Sequence, residues 1–161
     1  MLLCSVRACR YLQAYLDLAQ IATKCATMNT AVDDSDGSLR TAFKVDYGTL
    51  AFTITAQYAP HDQVNVAYYI KTATMPGTEL LTLPTVVVDV QNSTDPSFGY
   101  DNAILYSCNS ILGLPVKELI FITRAREVDK ATLAALEQRA RDAGVVWDAD
   151  LLKHQDWSEC K

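Results

Sequence analysis

Five cysteines, at positions 4, 9, 25, 108 and 160, and two histidines, at 61 and 154, are the residues of this 161-residue chain best suited to chemistry. The cysteines form no CxxC pair. Cys4 and Cys9 have four residues between them and no histidine beside them, a poor arrangement for zinc. Cysteines spread from the chain ends to the middle suit disulfides in an oxidising compartment. The alternative is a set of reduced, buried thiols in a cytosolic protein, and an odd count leaves one thiol over. His61 and His154 both fall in predicted exposed loops. No Ser-His-Asp, HExxH or phosphate-loop pattern is present. A cysteine nucleophile would require Cys4 or Cys9 to be unpaired, to face a cavity and to have a depressed pKa. No metal and no cofactor is implied.

Composition narrows the partners. The formal net charge is −5 and the 14 Lys and Arg residues are scattered, the densest group being Arg124, Arg126 and Lys130. That argues against nucleic acid and against anionic membrane surfaces, both of which select clustered basic residues. With 50% hydrophobic and 20% charged residues, the chain has the material for a packed body of one domain, 1–161. No stretch approaches the roughly 20 apolar residues of a membrane span. The opening segment MLLCSVRACRYLQAYLDLAQIA is broken by Arg7 and Arg10, so it makes a poor signal peptide, and residues 1–24 are the atypical part of the chain.

The elements that must position any site are mainly strands. Segments Ala26 to Val32 and Leu39 to Val45 flank Asp33-Asp34-Ser35-Asp36-Gly37, a hairpin turn signal. Further strands are predicted over Thr49 to Tyr58, Val64 to Lys71, Leu83 to Val90, Ala103 to Cys108 and Leu119 to Thr123. They are separated by Ala59 to Asp62, Met75 to Gly77, the polar stretch Gln91 to Asp101, and Gly113 with Pro115. Successive antiparallel strands with short breaks predict a meander closed as a barrel or paired as a sandwich. One helix is predicted over about 129–143: Asp129 is a good N-cap, Leu133, Leu136, Ala140 and Ala143 form an apolar stripe, Glu137 and Arg141 form an i,i+4 pair, and Gly144 suits the C′ position. Val145 to Leu152 is expected to run as a last extended segment. Tyr11 to Ala22 fits either a helix or an irregular strand.

The C-terminal half resembles the apolipoprotein D-like lipocalins. Tyr100-Asp101-Asn102-Ala103-Ile104-Leu105-Tyr106-Ser107-Cys108 is similar to that family's strand ending in Tyr-Ser-Cys. Leu119 to Arg124 is similar to the strand that ends in its arginine, and a helix and then Cys160 follow. Lys24-Cys25 resembles the cysteine of its second strand, and Val88-Asp89-Val90 its Thr-Asp-Tyr. The family's Gly-x-Trp is missing: Gln13 stands for the glycine and Tyr15 for the tryptophan. The resemblance implies an all-β fold, an eight-stranded antiparallel up-and-down barrel with one C-terminal helix packed outside. It implies a Cys25–Cys160 disulfide and a second between Cys108 and Cys9 or Cys4. It also implies a barrel floor closed by Tyr15 over Arg124 through a cation–π contact.

In a barrel, alternate side chains face inward. With Cys108 outward, Ser107, Leu105 and Ala103 face in; with Arg124 at the floor, Ile122 and Ile120 line the space above it. Met28, Thr30, Leu39, Thr41, Phe43, Val64, Val66 and Tyr68 complete the expected wall. That wall suits a small hydrophobic ligand such as a fatty acid, retinoid, sterol or pigment, oriented by a tyrosine or threonine hydroxyl. Plain core packing is the competing account, and small residues at Thr30, Ala103 and Ser107 favour a cavity. The resemblance thus implies a secreted or lumenal carrier that performs no chemistry on its ligand; Asn92-Ser93-Thr94 matches a glycosylation sequon. Two alternatives stay open. One is an isomerase or synthase acting on a lipophilic substrate. The other is an interaction module binding a protein receptor through loops such as Gln91 to Asp101.

Overall fold

A computed structural model describes residues 9–16, 23–48, 50–61, 67–74, 81–111, 113–158 and 160. Eight long strands run β1 (Cys9–Leu16), β2 (Lys24–Asp33), β3 (Ser38–Asp46), β4 (Ala51–Pro60), β5 (Tyr68–Thr74), β6 (Leu81–Asn92), β7 (Tyr100–Ile111) and β8 (Leu114–Thr123). A helix, α1 (Lys130–Asp142), and a two-residue strand, β9 (Lys153–His154), follow. Each of β2 to β8 pairs antiparallel with its neighbour in sequence, and β1 closes the ring by pairing with both β8 and β2. Closure leaves no long edge among the eight strands, which protects against edge-to-edge association. Segment Tyr11 to Leu16 is therefore strand.

The ring is unevenly sealed. β1 meets β8 from Tyr11↔Thr123 to Leu16↔Leu119 but meets β2 over only three pairs, Cys9↔Asn29, Arg10↔Met28 and Tyr11↔Thr27. The C-terminal tail takes over the side of β1 that β2 leaves. Ala14 and Tyr15 pair with His154 and Lys153 in β9, and the Trp157 indole N–H donates to the Leu12 carbonyl at 2.9 Å. A disulfide from Cys25 to Cys160 ties the tail to β2. Cys25 sits at a bulge between Lys24 and Thr27, with φ of 53°, a left-handed conformation that non-glycine residues rarely adopt.

A bulge between Leu12 and Ala14 shifts the alternation of β1, so that Leu12 and Ala14, two residues apart, face opposite sides of the wall. Leu12 and Tyr15 join the interior cluster with Ala26, Met28, Phe43, Val45, Tyr58, Leu105, Ile120 and Ile122. Ala14 joins the exterior cluster of Ile104, Leu119, Phe121, Leu136, Ala140, Val145 and Leu152, where α1 lies on the barrel wall. The helix starts as its residues predict: Asp129 accepts from the Thr132 amide at 2.7 Å, and burial of Leu136 and Ala140 anchors its apolar face. Glu137 and Arg141 pair at 3.7 Å, and Arg139 reaches Asp89 on β6.

Candidate functional site

The barrel interior holds a cavity of about 550 Å³ at the end that carries the β2–β3 and β6–β7 connections. Its wall is formed by Met28, Thr30 and Val32 of β2, Leu39 and Thr41 of β3, Tyr58 of β4, Ala67 just before β5, Tyr69 of β5, Val87 to Val90 of β6, Tyr100, Ala103 and Leu105 of β7, and Ile122 of β8. Val32 is 60% exposed and Val90 43%, so the cavity reaches the surface at this rim. Such a space falls within the range of sites for small molecules. Five hydroxyls, from Thr30, Thr41, Tyr58, Tyr69 and Tyr100, and the Asp89 carboxylate interrupt a mainly aliphatic lining. Burial pushes the Tyr58 phenol up to about 12, against the opposing pull of Lys71. Burial also raises Tyr100, again opposed by a cation, Arg10. Both phenols are therefore neutral donors at ordinary pH.

The structure places Met28, Thr30, Leu39, Leu105 and Ile122 in the cavity wall. Phe43 and Ile120 face inward too but are buried in the interior cluster, outside the wall. Val64 and Val66 lie outside the described residues. Tyr68 is a correction. Lys71 pairs with inward-facing Tyr58, so β5 turns Tyr69, Lys71 and Ala73 into the barrel; Tyr68 instead packs edge-on against His61 at 4.4 Å. The alternation of Tyr68 and Ile70 reads as an inward face only if Lys71 faces solvent. Here Lys71 is buried, its ammonium held by both oxygens of Glu118 at 2.6 Å, and one such pair reverses the whole strand.

Tyr15 and Arg124 do not meet. Tyr15 is buried opposite Ile120, four residues from Arg124 along the strand direction, or roughly 13 Å at about 3.3 Å per residue. Arg124 follows the last residue of β8 and remains on the surface, donating to Asp101 at 2.6 Å with its guanidinium over Phe98. That hydrogen bond holds the Asp101 carboxyl below the usual carboxylate range. The buried aromatic–cation contact at this end of the barrel is made by Arg10 and Tyr100, at 4.2 Å. Arg10 is 2% exposed and donates to the carbonyls of Cys9, Phe98 and Tyr100, which fixes the β6–β7 connection to β1. Because β1 begins as early as Cys9, Arg10 is its first inward residue. Gln13, in the glycine position, points out instead and holds the turn after β8 through Thr123, Ala125 and Arg126.

The cysteine expectations divide in the same way. Cys25–Cys160 is present. Cys108 is a free, exposed thiol, and Cys9 is disulfide-bonded, so the expected pairing of Cys108 with Cys9 or Cys4 is corrected. Tyr11 pairs with Thr123, and Thr123 with Asn102. Cys108 lies six residues further along β7, about 20 Å away at 3.3 Å per residue, and a disulfide spans at most about 7 Å between Cα atoms. Cys4 lies outside the described residues. Cys9 is thereby removed as a candidate nucleophile, and Cys108 faces away from the cavity, since its neighbours Leu105 and Ser107 are the inward residues of β7. Among the described residues no cluster of His, Cys, Asp and Glu could hold a metal, and no helix is long and apolar enough to cross a membrane.

No family model matches the sequence, and no curated relative does. Solved structures do match. Lobster apocrustacyanin A1 is 15% identical, with 93% of this chain on 76% of that one and a TM-score of 0.64. Insecticyanin from the tobacco hornworm Manduca sexta is 16% identical, with 96% on 80% and a TM-score of 0.66. A deswapped triple mutant of bovine odorant-binding protein is 12% identical, with 93% on 93% and a TM-score of 0.60. The likeness is one of backbone architecture, and it agrees with the strand order, the closure through β1 and the position of α1. The chain therefore has the lipocalin fold, a closed eight-stranded antiparallel up-and-down barrel with one helix outside.

Proposed function

We propose that this chain is a lipocalin of the apolipoprotein D-like branch that binds and carries a small hydrophobic molecule in its barrel, in a secreted or lumenal setting. The observation that carries the reading is the cavity of about 550 Å³, walled mainly by aliphatic and aromatic side chains with a few hydroxyls. Desolvation of an apolar ligand in such a space supplies affinity at roughly 25 cal/mol per Å² of apolar surface removed from water, while the hydroxyls orient it. Met28, Thr30, Leu39, Leu105 and Ile122 are the proposed contacts, joined by Tyr58, Tyr69 and Tyr100. Two further points support the reading. The odorant-binding protein among the similar structures carries a ligand class in its name, and the Cys25–Cys160 bridge suits an oxidising compartment. Native mass spectrometry of the disulfide-intact protein incubated with retinol tests it. A one-to-one adduct that survives desalting is expected. Its absence, for retinol and for a C16 alcohol alike, would count against the carrier reading.

A further inference from the structure

A polar network just beyond the inner end of the cavity narrows the ligand class. Going inward along each strand, Lys71 follows Tyr69, Thr85 follows Val87, Ser107 follows Leu105, and Glu118 lies beyond Ile120 and Ile122. These four side chains form one network. The Lys71 ammonium donates to both Glu118 oxygens at 2.6 Å, Ser107 reaches Glu118 at 3.1 Å, and Thr85 shares a hydrogen bond with Ser107 at 2.8 Å. Lys71 also lies 5.9 Å from the centroid of the Tyr58 ring, which forms part of the cavity wall. All four residues are buried. Just beyond the lining residues the barrel interior is thus polar, and among the described residues Lys71 and Glu118 balance each other's charge.

Neither buried cation is presented to a ligand as a bare charge. Lys71 faces Glu118, and Arg10 is held by three backbone carbonyls with its guanidinium over the Tyr100 ring. The lining has one carboxylate, Asp89, ion-paired with Arg139 of α1. A ligand carboxylate driven to the inner end of the cavity would lose its water and approach Glu118, a like charge, with the Lys71 ammonium already engaged. A hydroxyl or carbonyl, in contrast, can exchange hydrogen bonds with Tyr58 or Thr41 of the wall at no cost in charge.

We propose, building on the carrier reading above, that the cavity selects neutral amphiphiles bearing a hydroxyl or carbonyl group, and that Glu118 is the residue that excludes carboxylates. The test compares hexadecanol with palmitate, two chains of equal length, as displacers of bound N-phenyl-1-naphthylamine at about pH 8, where palmitate is ionised. For the wild-type protein, hexadecanol is expected to displace the dye at a concentration about tenfold or more below that of palmitate. Glu118→Gln removes the carboxylate and leaves the Lys71 ammonium without this counter-charge. It is expected to raise palmitate affinity about tenfold and to shift hexadecanol by less than about threefold. Palmitate displacing as well as hexadecanol from the wild type, or a ratio unmoved in the folded variant, would overturn the proposal. The wild-type ratio decides the matter even if Glu118→Gln does not fold. Dye binding with a preference for palmitate overturns this inference and leaves the carrier reading standing, whereas failure of dye and both displacers overturns both.

Discussion

Replacing Cys160 by serine probes the weakest part of the barrel. The Cys25–Cys160 bridge closes a loop with a sequence separation of 135 residues. The chain-entropy relation assigns such a cross-link about 5 kcal/mol at 25 °C. Part of that is offset, because Cys25 is held at φ 53°, and a non-glycine residue in the left-handed region costs about 1–2 kcal/mol that the cut chain can relax. A net loss of about 3–4 kcal/mol is therefore expected. With a urea m-value of roughly 2 kcal/mol/M for a chain of this size, the unfolding midpoint should fall by about 1.5–2 M. The loss should also be local. The tail carries Trp157, whose indole holds Leu12, and β9, which holds Ala14 and Tyr15, while β2 grips β1 at only three pairs. Hydrogen exchange in Cys160→Ser should accelerate first in β1, with β3 and β4 still protected. Equilibrium urea unfolding under oxidising conditions, read beside native-state hydrogen exchange, decides it. A midpoint unchanged to within about 0.5 M, or uniform acceleration around the whole ring, would refute the argument that the tail seals the barrel.

Three other outcomes follow from the interior. Tyr58 is a buried acid whose folded pKa is raised to about 12, so its contribution is complete below the unfolded value near 10 and is lost as pH rises from there through 12. The loss is worth roughly 3 kcal/mol, and in Tyr58→Phe stability measured by urea unfolding should decline less steeply between these limits. Lys71→Met leaves Glu118 as a buried carboxylate without its ammonium, and should cost about 3–5 kcal/mol by thermal or urea unfolding. Lys71→Met combined with Glu118→Leu should recover most of that loss; a double variant as unstable as the single one would contradict the account of the pair. Peptide mapping without reduction should find Cys108 as a thiol, and its recovery in a disulfide would contradict the topology argument that separates it from Cys9.

Much of the fold was legible because it depends on local rules. Asp129 announced α1, the Asp33–Gly37 turn announced a hairpin, and Ala103, Leu105 and Ser107 gave the correct inward face of β7. What failed did so where distant residues decide. Strand alternation assigns charge to the solvent side, so it reversed β5: Lys71 is tolerated inside only because Glu118, 47 residues later, answers it. Arg10 looked like an interruption of an apolar run. Its buried place depends on carbonyls of Phe98 and Tyr100 that no local pattern reveals. Arg124 matched a motif in sequence, yet it falls past the end of β8 where it meets solvent and Asp101. The five expected wall residues that do line the cavity sit on stretches of strand where apolar or hydroxyl residues occupy every inward position at the level of the cavity, the condition under which the period-two pattern is reliable.

The most direct test of the central claim, a ligand-holding cavity within the barrel, is fluorescence titration of N-phenyl-1-naphthylamine into the disulfide-intact protein and into Leu105→Trp. Leu105 lines the cavity and is 7% exposed, so a larger ring there occupies ligand space. The account predicts saturable one-to-one binding with a blue-shifted, enhanced emission for the wild type. For Leu105→Trp it predicts affinity weakened by about tenfold or more, with the β-sheet circular dichroism retained. No saturable binding to the wild type, or equal binding to a folded Leu105→Trp, would contradict it.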